Sequence, residues 1–169
     1  TGDSTVRCTV DRSTYVDRVE TCIDAIWAGE LFEVNYAERF EARWDSTPLT
    51  LYARLRDTSS AQYCGFLDTG STQVLSVSPE QFLSIRDGRV VTRPIKGTRG
   101  RGASPEEDRE LASDLLASEK DRAENIMIVD LMRNDLTRFC ELGTVEATRL
   151  CELQTFNGVH HLVSTVEGR

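Results

Sequence analysis

The sequence predicts an α+β fold in which layered, mainly antiparallel β-sheets are flanked by helices. Two observations lead to this prediction. First, β-type and helical segments alternate in short blocks along the 169 residues, with no internal repeat and no linker. Second, Asp68-Thr69-Gly70-Ser71 and Asp87-Gly88 each lie between short β-type segments, which is the pattern of antiparallel hairpins. Short blocks of this kind favour a layered α+β domain.

The first part of the chain begins with a predicted amphipathic helix. Between residues 15 and 28 the apolar side chains recur at helical spacing, and Gly29 is placed to end that helix. Residues 31–44 are richer in β-type side chains, and residues 48–56 are predicted as a short helix. Two predicted hairpins follow, residues 63–67 with 73–77 and residues 82–85 with 90–93.

A glycine-rich loop, residues 96–102, and two helices are predicted after the hairpins. The first helix has a full set of start signals. Ser104 is placed at the N-cap, Pro105 at the first helical position and Glu107 where it completes a capping box. The second helix is predicted over residues 118–136. A strand over residues 144–153 and a further apolar segment over residues 159–166 complete the prediction.

Composition and charge exclude several classes of protein. With 39% hydrophobic and 28% charged residues, the chain can bury a core, which argues against disorder. No apolar run approaches the roughly 18 residues of a membrane span. Thr1-Gly2-Asp3 does not open a signal peptide, so we expect a cytoplasmic protein with no membrane partner. A net charge of -8 argues against a nucleic-acid partner. The five cysteines lack zinc-site spacing and are expected to be buried, reduced thiols.

The average charge hides a local reversal. Residues 86–101 contain six basic side chains against one acid, whereas residues 106–124 contain eight acids and three bases. Glycines, backbone amides and basic groups around residues 93–102 suit a carboxylate or phosphate ligand, and Thr98 adds a hydroxyl donor. The residue order matches neither a P-loop nor a dinucleotide-binding motif. The alternative is a solvated basic turn between a hairpin and a helix.

Lys96 and Glu80 are candidate reacting groups on the basis of their sequence neighbours. Lys96 lies between Ile95 and Gly97, where an apolar neighbour could desolvate the amine and activate it as a nucleophile. Glu80 follows Ser78-Pro79 at a predicted strand end, from which a carboxylate can serve as general acid or base. Taken alone, Glu80 also fits an ordinary acid of a surface loop.

Carboxylates on the second predicted helix are candidate metal ligands. Glu124 and Asp121 share one helix face, and grouped carboxylates can hold a hard cation such as Mg²⁺. Asp130 lies in an apolar run, so we expect it to be buried and paired with an arginine. His160 and His161 are adjacent and would point to opposite faces of a strand, so at most one of them enters a site. A hydrogen-bonded structural histidine is the alternative for either.

Six blocks of sequence carry a more specific signal. They are GELFEVN at 29–35, SVSPEQF at 76–82, RPIKGTRGRG at 93–102, EKDRAEN at 119–125, MIVDLMRNDL at 127–136 and VHHLVS at 159–164. In this order the blocks resemble the chorismate-utilising enzymes, which include anthranilate synthase component I, aminodeoxychorismate synthase component I, isochorismate synthase and salicylate synthase. The resemblance covers the chain from about residue 15 onward and implies the layered α+β fold of anthranilate synthase component I.

The resemblance also implies a site. Chorismate, a dicarboxylate, would lie against Gly97 and Thr98. Glu80 matches the general acid or base of the family, and His161 matches the histidine near the C4 oxygen of the substrate. The resemblance further implies that Mg²⁺ binds the ring carboxylate and that Glu124 is one of its ligands.

Lys96 distinguishes the subfamilies. Pro-Ile-Lys-Gly-Thr is typical of aminodeoxychorismate synthases, whereas anthranilate synthases usually have alanine at the lysine position. The resemblance therefore implies an aminodeoxychorismate synthase component I, acting in 4-aminobenzoate and folate supply. The Lys96 amine would attack C2 of chorismate as the C4 hydroxyl departs. Ammonia, from a glutamine amidotransferase subunit or fused domain, would then add at C4 and expel the lysine.

The extent of the resemblance leads to one expectation about the chain and leaves two alternatives for its function. We expect residues 1–169 to be the N-terminal larger part of a chorismate-binding domain, incomplete at its C-terminus. The sequence lacks the region that in relatives supplies a second metal-binding glutamate and the residues that hold the other substrate carboxylate. The alternatives are an anthranilate synthase component I, or related chorismate enzyme, that carries lysine at this position, and a truncated module that binds without catalysis.

Overall fold

The computed structural model describes residues 6–59 and 61–169 of the chain. The chain divides into two compact units, Thr1–Thr47 and Pro48–Arg169. The described part of the first unit contains helix α1 (Arg12–Trp27) and two short antiparallel strands, β1 (Arg7–Cys8) and β2 (Phe40–Glu41).

Helix α1 confirms the first predicted helix but begins earlier than residue 15. Asp11 Oδ1 accepts a hydrogen bond from Thr14 N at 2.9 Å and caps the helix, a start signal that the apolar spacing alone does not reveal. Gly29 follows the helix end with φ +76°, as its position predicts. The prediction of β-structure over residues 31–44 is wrong apart from Phe40–Glu41, because the partner strand β1 in this unit is only two residues long.

In its described residues the second unit contains three helices and the remaining strands. Apart from one strand discussed below, the predicted bounds lie within two residues of those observed; helix α3 was predicted only at its start, and residues 159–166 only as an apolar segment. Both predicted hairpins are present as antiparallel pairs, β3 with β4 and β5 with β6. The elements are α2 (Pro48–Thr58), β3 (Tyr63–Asp68), β4 (Gln73–Ser78), β5 (Gln81–Arg86), β6 (Arg89–Arg93), β7 (Ile95–Gly100), α3 (Pro105–Ala117), α4 (Glu119–Thr137), β8 (Glu146–Thr155) and β9 (Val159–Gly168).

Strand β9 is the centre of a five-stranded antiparallel sheet. Strand β8 pairs along one side of β9, and β6 and β7 pair one after the other along its opposite side. The registers Thr92↔Val166 and Ile95↔Val163 place β6 against the C-terminal part of β9 and β7 against its N-terminal part. Residues 160–166 are all buried, as expected for a strand covered on both faces.

The segment predicted as a glycine-rich loop is instead strand β7. Its pairing with β9 is interrupted between Ile95 and Thr98, where Gly97 adopts φ +88°. A positive φ at an irregular point of a strand is the conformation that glycine provides at little cost. The glycines that indicate a loop in the sequence therefore permit a bulged strand in the structure.

Helix α3 starts as its sequence predicts. Glu107 N donates to Ser104 Oγ at 3.2 Å, and Glu107 Oε2 accepts from Ala103 N at 2.7 Å rather than from the Ser104 amide. This cap fixes the start of α3 close behind strand β7. Asp108 consequently lies in the first turn of the helix.

The hydrophobic core lies between helix α4 and strand β9. Val129, Leu136 and Val166 form its buried cluster. One polar group interrupts the apolar contact: the fully buried Asn125 donates to Leu162 O at 3.1 Å and accepts from the Ser164 hydroxyl. Because a buried amide is stable only when it is hydrogen-bonded, these contacts tie α4 to β9 in one register.

Two expectations about burial are corrected. Asp130 pairs with Arg133 at 3.2 Å, so its partner is an arginine, but the side chain of Asp130 is 65% exposed because the buried face of α4 carries Asn125 and Val129 instead. All five cysteines are free thiols, but only Cys151 is buried and the other four are half-buried.

Candidate functional site

Glu80 is held beside the residue that precedes Lys96. It lies in the tight connection from β4 to β5, on an exposed part of the backbone, and its amide donates to Ser78 Oγ at 3.3 Å. Glu80 Oε1 accepts a hydrogen bond from Ile95 N at 2.9 Å. The carboxylate is therefore anchored at the start of β7, and its second oxygen can still accept or donate a proton.

His161 and Thr98 are direct cross-strand partners. They face each other in the β7–β9 register, and Thr98 Oγ1 lies 2.8 Å from His161 Nδ1. Burial lowers the pKa of His161 below its ordinary value, while a hydrogen bond with the Gly97 backbone and the charge of Glu80 act in the opposite direction. His161 is therefore mainly neutral at neutral pH and can donate or accept one hydrogen bond to a ligand.

The structure brings the sequence-predicted residues of β7 and β9 into one place. Lys96 is half-buried on β7, directly after the amide that binds Glu80 and one residue before Gly97. One residue further along β7, Thr98 pairs with His161 of β9. A nucleophile candidate, a carboxylate and a neutral imidazole thus lie along one short stretch of sheet.

A small cavity opens next to His161. Its volume is about 230 Å³. Phe156 forms part of its wall, and the ring of Phe156 lies 5.7 Å from the His161 imidazole between centroids. The lining residues are Ser59, Ala61, Gln62, Pro79, Phe156, Val159 and His161. A mostly apolar wall with a few polar groups is the usual character of a site for a small organic ligand.

The expectation that the basic groups around residues 93–102 are open to an anionic ligand is wrong for two arginines. Arg99 donates to Asp114 Oδ2 at 2.8 Å and to Asp121 Oδ2 at 3.2 Å. Arg101 forms a bidentate pair with Asp108, with both contacts at 2.7 Å. The acidic helices α3 and α4 therefore neutralise these guanidinium groups. The local charge reversal in the sequence reflects strand-to-helix ion pairs rather than an open basic loop.

The two carboxylates predicted as metal ligands have different basic partners. Asp121 Oδ2 accepts a hydrogen bond from Arg99 Nη1 at 3.2 Å, so the Arg99 charge competes with a cation for this carboxylate. The half-exposed Glu124 carboxylate lies 3.8 Å from Lys120 Nζ. Across residues 6–59 and 61–169, no group of three or more His, Cys, Asp or Glu side chains could hold a metal ion. Glu124 thus fits Mg²⁺ as a single oxygen ligand, and further ligands would have to come from elsewhere.

Gly97 has no room for a side chain. A Cβ atom at this position would lie 2.9 Å from Asp121 Cβ and 3.1 Å from Leu115 Cδ1, and φ is +88°. We expect Gly97→Ala to lower the free energy of unfolding by about 1–3 kcal/mol, from steric overlap and backbone strain. Gly100→Ala is the matched control on the same strand, since a Cβ there meets nothing within 4 Å. Equal losses for the two variants in urea unfolding would contradict this expectation.

Some residues of the site could not be identified from sequence patterns. Phe156 stands before an Asn-Gly turn with no pattern that points to a cavity, and only the tertiary structure places its ring against His161. Asp108 carried a weak signal, because an acid in the first turn of a capped helix follows a basic segment. The partner of that acid, Arg101, is set by the fold.

Comparisons with known proteins identify the family of the chain and support its fold. The family described as chorismate binding enzyme matches residues 1–169. The chain is 49% identical over 160 residues to aminodeoxychorismate synthase of Streptomyces griseus, covering 94% of this chain and 22% of that protein. It is 43% identical over 157 residues to anthranilate synthase component 1 of Thermus thermophilus, covering 93% and 34%. The crystal structure of anthranilate synthase component I from Streptococcus pneumoniae matches with a TM-score of 0.85 and 37% identity, covering 98% and 36%.

The fold and the residues of β7 and β9 define an α+β protein of the anthranilate synthase component I type. The chain belongs to the chorismate-binding enzyme family. It spans 22% and 34% of the lengths of the two curated relatives named above. In the described parts of the chain, no helix combines the length and the apolar character needed to cross a membrane.

Proposed function

We propose that the protein acts as component I of an aminodeoxychorismate synthase, which converts chorismate and ammonia to 4-amino-4-deoxychorismate and supplies 4-aminobenzoate for folate synthesis. The observation that carries the proposal is the position of Lys96. It directly follows the amide that anchors Glu80, on the strand that also pairs Thr98 with His161. Lys96 supplies a candidate nucleophile and Glu80 a candidate proton donor, and covalent catalysis requires both roles.

In the first proposed step, Lys96 Nζ forms a bond to C2 of chorismate. The two conjugated ring double bonds each shift by one position, and the C4–O bond breaks. The departing oxygen takes a proton from the Glu80 carboxylic acid and leaves as water. The attacking group is the neutral Lys96 amine, and the secondary ammonium that it forms gives up one proton to solvent. Hydroxide is a poor leaving group, so the proton from Glu80 makes this departure possible.

In the second proposed step, ammonia forms a bond to C4. The two ring double bonds return to their original positions and the C2–N bond to Lys96 breaks. The departing lysine nitrogen takes up a proton from solvent and is released as the neutral amine. The Glu80 carboxylate takes the surplus proton from the new amino group. The two steps together consume chorismate and ammonia and produce 4-amino-4-deoxychorismate and water. A glutamine amidotransferase subunit or fused domain is the proposed source of ammonia.

The remaining residues bind and orient the substrate in this proposal. The Gly97 backbone and the Thr98 hydroxyl would contact the bound substrate. The neutral His161 would donate a hydrogen bond to the C4 oxygen, with its ring orientation fixed by Thr98 Oγ1 at 2.8 Å. The apolar wall formed by Phe156 would exclude water from this region.

Mg²⁺ is the proposed cofactor, and Glu124 would supply one of its ligands. When bound, the ion would neutralise the ring carboxylate of chorismate. We expect Glu124→Gln to raise the Mg²⁺ concentration for half-maximal activity at least about tenfold, because the variant loses a charged oxygen ligand. Glu119→Gln, an exposed acid at the start of α4, is the control and should leave this concentration unchanged. An unchanged Mg²⁺ requirement in Glu124→Gln would remove Glu124 from the metal site.

Product analysis tests the proposed function. The full-length natural protein would be incubated with chorismate, Mg²⁺ and ammonium ions, and the product identified by mass spectrometry and fluorescence. Formation of 4-amino-4-deoxychorismate supports the proposal. Anthranilate as the main product would reject it.

Anthranilate synthase component I is the second candidate. The observation in its favour is the similarity to anthranilate synthase components at 43% identity in sequence and at 37% identity in a solved structure. The same assay separates the two activities, because anthranilate carries its amino group at C2 and the aminodeoxychorismate product carries it at C4. A module that binds without catalysis would give neither product.

A further inference from the structure

Asp108 is the centre of a hydrogen-bonded group that the proposed reaction does not use. Its carboxylate accepts from Arg101 Nε and Nη2, both at 2.7 Å, and from Gly102 N at 2.9 Å. His160 Nε2 lies 3.0 Å from Asp108 Oδ1, and Thr155 Oγ1 lies 2.9 Å from His160 Nδ1. We call these five residues the Asp108 network.

The Asp108 network is compact and strongly charged. The Arg101 guanidinium, followed by the Gly102 amide, holds the pKa of the Asp108 carboxyl well below its usual range, and His160 adds to this effect. His160 is only 2% exposed. Gly102 approaches so closely that a Cβ atom there would lie 2.3 Å from Asp108 N. Four donors on one carboxylate, with a glycine required at the contact, fix the start of α3 against the end of β7.

The Asp108 network also holds the turn between β8 and β9. Arg101 Nη1 donates to Phe156 O at 3.0 Å, and Arg101 N donates to Gly158 O at 3.3 Å. The ring of Phe156 lies against His161, and both residues line the same cavity. The Asp108 network therefore contacts the backbone of Phe156, whose side chain forms part of the cavity wall.

We infer that Asp108 is a positioning residue, which through Arg101 and His160 keeps Phe156 packed over His161. This inference rests on the proposed function, in which His161 touches the substrate. Without the carboxylate, Arg101 loses its bidentate partner and His160 loses the acceptor for Nε2. The turn would then loosen, and water would reach the His161 ring.

The pKa of His161 distinguishes positioning from a simple charge effect. Removing a negative charge stabilises a neutral imidazole and would lower the pKa of a nearby histidine. Hydrating the His161 ring would instead raise its pKa toward the ordinary value of 6.5, because burial is the main cause of its depression. Glu80 is the carboxylate whose charge acts on His161. None of the variants in the test described next replaces Glu80.

The test is an NMR titration of the full-length protein with ¹⁵N-labelled histidine, in which the His161 signals are assigned by their loss in His161→Gln. We expect Asp108→Asn to raise the pKa of His161 and to lower kcat at least about tenfold, with a smaller change in KM. Arg101→Lys keeps the charge but not the bidentate geometry, so it should shift the pKa in the same direction by a smaller amount.

Two control variants separate this effect from general loss of stability. Arg109→Gln removes an exposed α3 side chain whose partner is Glu106, and it should leave both the pKa and kcat unchanged. Leu136→Ala weakens the core away from the network and should lower the melting temperature without moving the His161 pKa.

An unchanged or lowered His161 pKa in a folded Asp108→Asn variant would overturn the inference, and so would an equal rise in Leu136→Ala. If Asp108→Asn does not fold, Arg101→Lys decides by the same criterion. The titration needs no turnover. A protein that forms no 4-amino-4-deoxychorismate would therefore reject the proposed function while the role of Asp108 is still decided.

Discussion

Replacing Lys96 by alanine is expected to reduce the rate of 4-amino-4-deoxychorismate formation by about 10³-fold or more, because the variant has no amine to form the covalent intermediate. Lys96→Arg should be almost as inactive. It keeps a positive charge, but a guanidinium remains protonated and is not a nucleophile. The two variants together separate a nucleophilic role from a purely electrostatic one. Initial rates with saturating ammonia and chorismate provide the measurement.

The control for Lys96 comes from the other lysine of the chain. Lys120 is exposed at the start of α4, and Lys120→Arg keeps its charge beside Glu124. This variant should retain the activity of the unsubstituted protein. Full activity in Lys96→Ala would refute the lysine mechanism. Near-normal activity in Lys96→Arg would leave only the charge as the function of this residue.

Glu80→Gln is expected to lower kcat by roughly 10²–10⁴-fold, the usual contribution of a general acid or base. The amide can still accept the hydrogen bond from Ile95 N through its oxygen, so the local structure should persist. It cannot supply the proton that the departing oxygen needs. The measurement is kcat at saturating chorismate and ammonia.

Glu106→Gln is the matched control for Glu80, because Glu106 is an exposed acid of α3 whose partner is Arg109. Its activity should match that of the unsubstituted protein. A Glu80→Gln variant with a kcat within a few fold of normal would exclude Glu80 as the proton donor.

Much of the second unit could be predicted from the sequence because its signals are local. An Asp-Gly turn and a Ser-Pro-x-Glu helix start each act within a few residues. Strand β7 could not be predicted in this way. Its glycines are those of a loop, and its strand conformation comes from pairing with β9, more than sixty residues away in the sequence, as in the Thr98–His161 contact.

The sequence proposes residues for the candidate site but does not reveal their ion-pair partners. The chemistry of Lys96 and Glu80 is visible in their neighbours, and the resemblance to chorismate-utilising enzymes adds His161 and Glu124. The partners of Arg99 and Arg101 were missed, because an ion pair between a strand and a helix has no fixed spacing. Asp121 and Glu124 share a helix face, but Asp121 pairs with Arg99 and Glu124 with Lys120.

The central position of strand β9 has a kinetic consequence. Its contacts join residues far apart in the chain: Arg89 bonds to Glu167 across 78 positions, and Thr98 meets His161 across 63. Contacts of such separation close large loops, so sheets built from them fold slowly compared with helical bundles. Strands β6, β7 and β8 can join into one sheet only when β9 docks between them. The complete site therefore requires more than one hairpin, and it should form in the same cooperative event that completes the sheet.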